Sequence, residues 1–490
     1  MKIRTIILMA ILLGLISCKK DISLLIGTNK DVTIAGELSN IDNNEIQIVV
    51  EYKDLVTSEL ITLISPAKNG TFQFRFPKYN VQDIKLIVGD FILPILVIPG
   101  ENMHLKINLK NLDNGVLFSG ENARLHNDFI ALSREFNNYK TSIDSAELKI
   151  KTLEPVDYKT YVINNENKLI GFLKNYNHSN SVDPLIFDWY MMHIKYETAN
   201  QLIYPYNVRF EKFGVKVDYW DFFDKYPVSN EQALFCSDYH QYCTNYYMYL
   251  ANIRKEFDIA MKYYGNDWKS YYQTNIDKLN ESLSGIARDI LISNLTYSFM
   301  QDDLKSFRDL QTPIFAKIEN ENVKNLISDR YVLMDENIKS IDLSQKIKIY
   351  DYRKDTLKSD ILDIIRSKYK NKVIYVDNWA SWCGSCIAEM PHSIELQKEF
   401  EDKDVIFVFL CSYENYVNDR AKAIISEKQI TGEHYLMNFH QSYLNEDRFK
   451  SKGIPRYMII NKKGEIVDND APRPSSIEIR ERLNGILQAN

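Results

Sequence analysis

Val376-Asp377-Asn378-Trp379-Ala380-Ser381-Trp382-Cys383-Gly384-Ser385-Cys386 decides how the C-terminal part of this 490-residue chain is read. The apolar run Lys372 to Asp377 has the composition of a buried strand, residues 378–382 read as a loop, and helical spacing sets in after Cys383 and lasts to about Phe400. Cys383 therefore falls at a helix N-terminus, where unsatisfied N–H groups and the helix dipole favour a thiolate. Cys386 lies one turn further in, where it can attack a mixed disulfide formed at Cys383. A bare Cys-x-x-Cys is also half of a zinc site, which needs two more ligands. Cys411, His434 and His440 stand apart and supply no second tight pair, so no metal is expected. Pro391 is expected to bend the helix.

Working outward, strands alternate with helices from about Ile341. Val405 to Cys411 reads as a buried strand and Asn415 to Lys428 as a helix. Arg456 to Ile460 and Glu465 to Val467 pair through a turn at Gly464, and Ser476 to Leu487 closes the chain with a helix. This order implies an α/β domain with a mixed sheet and helices on both faces.

Trp379-Ala380-Ser381-Trp382-Cys383, Pro391 five residues after Cys386, and Gly453-Ile454-Pro455 before a strand together resemble the thioredoxin superfamily. Within it they resemble the TlpA/ResA-like envelope oxidoreductases, over residues 341–490. Asn378 stands where an aromatic is common, Ser385 where proline is usual, and Ile387 where a basic residue is frequent. The resemblance implies a thiol-disulfide oxidoreductase, acting as a disulfide reductase, with Cys383 as nucleophile and Cys386 as resolving thiol. Its cofactor is none beyond the redox-active disulfide Cys383–Cys386. Asp377 matches the buried acid of the family; desolvation would raise its pKa and let it take the Cys386 proton, whereas a solvated strand-end aspartate would do neither. Pro455 matches the family's cis-proline, which turns the Ile454 backbone toward an extended substrate. Trp382 is expected beside the reactive sulfur, so Trp382, Ile454 and Pro455 are the candidate substrate-binding residues. Ile387, not His, follows Cys386, which excludes a haem-attachment motif.

At the other end, Lys2 and Arg4 precede an apolar run from Ile6 to Leu13 and then Leu15-Ile16-Ser17-Cys18. This is the layout of a secretory signal, too short to span a bilayer. The final four residues resemble a lipobox, which implies a signal peptide over 1–17, a lipid on Cys18 and a tether over 18–30. The expected location is the bacterial cell envelope, lipid-anchored and facing the periplasm. Expected partners are thiol- or disulfide-containing envelope proteins, an upstream membrane electron donor and the membrane itself. A net charge of −6 without basic runs argues against nucleic acid.

Residues 31–120 alternate with period two, as in Phe72, Phe74 and Phe76 after Asn69-Gly70 and in Leu105, Ile107 and Leu109 after Pro99-Gly100. They imply an N-terminal antiparallel β-domain, a sandwich or barrel, resembling the β-domain that often precedes thioredoxin domains in envelope lipoproteins. Residues 121–340 contain only four glycines and show helical spacing, so a mainly helical domain is expected, with breaks at Pro155, Pro184, Pro205, Pro227 and Pro313. Tyr242, Tyr246 and Tyr249 read as an aromatic helical core. Cys411 reads as a small core residue; Cys236 and Cys243, seven apart, are too distant to bridge on a continuous helix but not if the chain bends. A second functional class fits such large upstream domains: a binding or scaffolding lipoprotein with an accessory thioredoxin fold.

Overall fold

The computed structural model describes residues 26–41, 46–67, 69–112, 115–120, 122–143, 149–203, 217–252, 267–341, 346–354, 360–412, 420–449 and 453–488. The proposed signal segment, Cys18 and Pro205 lie outside the described residues. The chain is multidomain: β-structure first, helices next, an α/β domain last.

Eight strands among the described residues, β1 (Lys30–Ser39), β2 (Ile46–Lys53), β3 (Leu60–Ala67), β4 (Thr71–Lys78), β5 (Gln82–Val88), β6 (Phe91–Val97), β7 (Asn102–Asn108) and β8 (Val116–Ser119), form two four-stranded sheets ordered β4-β1-β7-β8 and β3-β2-β5-β6. The alternation seen in the sequence decides which side is buried: Phe72, Phe74 and Phe76 of β4 (Thr71–Lys78) point inward and the residues between them are exposed. All pairings are antiparallel except one, β1 with β7 (Asn102–Asn108), which is parallel. Side-chain alternation is the same for either direction, so the sequence pattern carried no sign of this pair.

Helices α1 (Ala123–Thr141), α2 (Pro155–Asn180), α3 (Pro184–Ile203), α4 (Ser237–Asn252), α5 (Trp268–Ser282), α6 (Gly285–Asp302), α7 (Leu304–Phe315) and α8 (Glu321–Ile341) build the middle region. Pro155 and Pro184 open helices, where a missing N–H costs nothing. Pro313 instead sits inside α7, two residues before its end, where its missing N–H costs the helix the backbone bond to residue 309. Tyr242 and Tyr249 are buried and Tyr246 packs against the same aromatic core. Cys236 and Cys243 are buried and free.

In the last domain β9 (Ile347–Asp351), β10 (Val373–Trp379), β11 (Val405–Cys411), β12 (Gly432–Leu436), β13 (Arg456–Ile460) and β14 (Ile466–Asp468) form a six-stranded sheet ordered β14-β13-β10-β11-β12-β9. Its centre is β10 (Val373–Trp379), parallel to β11 (Val405–Cys411) and antiparallel to β13 (Arg456–Ile460). Every residue of β10 is buried because helices cover both faces. Odd-numbered residues from Val373 to Trp379 face α10 (Gly384–Glu399); even-numbered ones face α9 (Ile361–Lys368). Cys411 is buried at the end of β11. Two short strands, β9 (Ile347–Asp351) and β12 (Gly432–Leu436), and helices α9 and α12 (Phe439–Phe449) have too few residues for a clear period, and none was anticipated.

The domains are packed together. Helix α11 (Arg420–Lys428) contributes Ala421, Ile424 and Ile425 to the core of the last domain, while Ala423 belongs to the core of the helical domain. At its C-terminal end Glu427 accepts from the Tyr297 hydroxyl, and Lys428 pairs with Glu59 of the β-domain at 2.7 Å. On the other side His392 of α10 meets Gln47 of β2 (Ile46–Lys53) at 3.2 Å. Among the described residues no helix is long and apolar enough to cross a membrane.

Candidate active site

A central parallel strand must end in a loop before its helix can cross over, and β10 places that loop at the C-terminal edge of the sheet. Cys383 is the N-cap of α10: its backbone is extended, and its sulfur accepts from the Cys386 N–H at 3.2 Å. The two cysteines form a disulfide. Both are buried, and their exposures differ in the direction that matters, 7% for Cys383 and 1% for Cys386, so Cys383 lies nearer the surface. The Ser385 hydroxyl lies 3.5 Å from the Cys383 sulfur.

Asp377 is 3% exposed and shares the face of β10 that meets α10. Its Oδ1 has no hydrogen-bond partner among the described residues. Burial, reinforced by the Glu389 carboxylate, holds the Asp377 carboxyl well above the usual carboxylate range. The carboxyl is therefore neutral where an ordinary aspartate is charged, and it lies in the layer that holds Cys386.

Glu389 was not singled out from the sequence. It sits three residues beyond Cys386 on α10, hence on the same helix face, and is itself buried. Its two oxygens accept from the Ser475 N–H and Oγ at 3.1 and 2.9 Å. The i, i+3 spacing from Cys386 is the signal that could have drawn attention to it. Asn378, the departure from the family pattern, is also explained: its side chain is buried on the opposite face and accepts from Ser412 Oγ at 2.5 Å and Asn445 at 3.3 Å. A bulky aromatic would lose that network.

Trp382 is 63% exposed beside Cys383, whereas Trp379 is buried in the core. The Ile454–Pro455 peptide is cis, and Ile454 packs partly buried against the core cluster that includes both cysteines. Cys383, Cys386, Asp377, Ile454 and Pro455 are thus brought to one end of the sheet, with Trp382 on its surface. No cluster of three or more His, Cys, Asp or Glu side chains suited to a metal occurs among the described residues.

Residues 354–481 match the family model described as Redoxin. No curated protein matches the chain. Among solved structures, the chain is similar to a putative thiol-disulfide oxidoreductase from Bacteroides vulgatus at 29% identity, covering 26% of this chain and 80% of that one, with a TM-score of 0.23. A putative thiol:disulfide interchange protein DsbE from Chlorobium tepidum is similar at 18% identity, over 25% of this chain and 84% of that one, with a TM-score of 0.20. A putative protein disulfide isomerase from Bacteroides thetaiotaomicron is similar at 21%, over 25% and 77%, with a TM-score of 0.21.

Proposed function

The C-terminal domain is a thioredoxin-superfamily oxidoreductase domain, and from that premise we propose that the protein reduces disulfides in envelope proteins through Cys383 and Cys386. The observation that carries this reading is the disulfide at the start of α10, its Cys383 side the less buried of the two, with the Asp377 carboxyl buried in the same layer.

In the reduced enzyme the Cys383 thiolate attacks one sulfur of a substrate disulfide. That S–S bond breaks, a mixed disulfide forms, and the departing substrate sulfur takes up a proton. The ionised form of Asp377 then accepts the proton of Cys386, whose sulfur attacks the Cys383 side of the mixed disulfide. The second substrate thiol leaves and the Cys383–Cys386 disulfide closes. Two electrons have passed from enzyme to substrate, so each cycle requires a dithiol or membrane electron donor to reduce the pair again. Trp382 offers an apolar surface next to the sulfur, and the Ile454 backbone is the edge on which an extended substrate pairs.

C386S removes the resolving thiol and should accumulate covalent complexes with substrate proteins, whereas C383S should accumulate few. Non-reducing electrophoresis and identification of the trapped proteins measure the asymmetry; equal trapping by both variants overturns the assignment. We also propose attachment to the envelope membrane, periplasm-facing, through a lipid on Cys18. Mass spectrometry of the mature N-terminus should find the acyl groups there.

A further inference from the structure

The loop that carries Cys383 is tied, through Arg420, to a residue outside its own domain. Arg420 opens α11, and its Nε donates to the backbone carbonyl of Ser381 at 3.1 Å. The same guanidinium pairs through Nη1 with Asp302, the last residue of α6 in the helical domain, at 3.2 Å. Asp302 is buried in turn, with only 6% of its side chain exposed, and accepts from the Tyr272 hydroxyl of α5, whose ring stacks on Phe299. The acceptor end of this chain, Ser381, is 2% exposed and two residues before the reactive cysteine, which puts it within about 7.6 Å of backbone from it. Within the loop itself, the Cys383 N–H bonds to Ala380 O at 3.0 Å.

The rest of α11 makes this a fixed post and not a floating arm. Ala423 is locked into the helical core, and Glu427 and Lys428 are held by Tyr297 and Glu59. Arg420 consequently reaches the active-site loop from a helix gripped at its middle and its far end by the upstream domains.

We propose that Asp302 and Arg420 are positioning residues through which the helical domain holds the Ser381 carbonyl, and with it the attacking sulfur of Cys383, in line for disulfide exchange. The inference rests on the thiol-disulfide reading of Cys383 and Cys386. It gives the helical domain a part in the reaction. A nucleophile must meet the sulfur it attacks in line with the bond that breaks, and misplacement by about 1 Å costs up to roughly a hundredfold in rate. The guanidinium also sets a positive charge near the developing thiolate, so the pH profile of Cys383 reports on its position.

The test compares the reduced full chain with R420A, R420K, D302A and the double variant R420A/D302A. The readouts are the rate of attack on a small aromatic disulfide and the pH profile of Cys383 alkylation by iodoacetamide. R420A should attack about tenfold more slowly and move the alkylation profile to higher pH, and R420K should restore part of both. D302A decides the matter by its sign. As an anchor for Arg420, its loss moves the profile to higher pH, in the same direction as R420A, and adds nothing in the double variant. Were Asp302 merely a nearby negative charge, its loss would move the profile to lower pH, which would overturn the inference, as would a profile unchanged in both single variants. If D302A does not accumulate as folded protein, D302L, which fills most of the volume and removes both acceptor oxygens, makes the same comparison. A wild-type protein that fails to attack the disulfide probe refutes the oxidoreductase reading itself; an active wild type matched by all its variants refutes only the positioning role.

Discussion

Asp54 and Asp377 are both buried carboxylates, one in the β-domain and one in the redox domain, and they are treated in opposite ways. Asp54 closes the loop between β2 and β3 (Leu60–Ala67): Oδ1 accepts from the Val56 N–H, the Thr57 N–H and the Thr57 hydroxyl, and Oδ2 from the Tyr79 hydroxyl at 3.0 Å. Four donors converge on a group whose work is to hold the loop in place. Asp377 has an oxygen with no hydrogen-bond partner among the described residues and a second carboxylate, Glu389, for a neighbour. Four donors satisfy the first, whereas an unpartnered oxygen beside a second acid suits the second to the proton-accepting part proposed for it.

The contrast can be broken at either end. D54A strands four donors in a buried loop and should destabilise the protein by about 3 kcal/mol in urea denaturation, with Cys383 reactivity per folded molecule unchanged. D377N should do the reverse. Resolution of the mixed disulfide, followed by stopped-flow after C383 attack, should slow by about a hundredfold while the attack itself holds its rate.

A smaller effect sharpens the comparison further. Because the folded protein holds Asp377 protonated well above the usual carboxylate range, its contribution is full at pH values below the unfolded carboxyl pKa and is lost as pH rises toward the folded one. D377N has no such dependence. Its stability relative to wild type should therefore grow with pH across that window, by at most about 1.4 kcal/mol per pH unit, and remain flat below it. Melting curves of the oxidised proteins at a series of pH values measure this; a constant difference would mean that Asp377 titrates as an ordinary aspartate.

What could be read in advance followed the range of the interaction. Cys383, Cys386 and Asp377 belong to one strand-loop-helix passage, so their placement depends on local periodicity, and the three come out in one layer. The alternating strands of the β-domain and the helical spacing of the middle region are equally local. The parallel β1–β7 pair depends instead on two segments about seventy residues apart, and direction leaves no mark on alternation. Arg420 is further from recognition still. Nothing around it in the sequence mentions Ser381 or Asp302, which it meets across 39 and 118 positions. Glu389 lay in between: its spacing from Cys386 was visible, but its buried partner Ser475 came from the far end of the domain.

Helix α11, with one face in each of two cores, also has a consequence for the order of assembly. A chain is made N-terminus first, an exported one also crosses its membrane N-terminus first, and domains fold as they emerge. The surface of α6 and α8 that receives Ala423 can therefore form before residue 420 emerges, whereas the redox domain emerges last and contains a helix with no wholly private core. The upstream domains act on it first as a mould: the segment that carries the thiol chemistry finishes its assembly against a wall that is already standing.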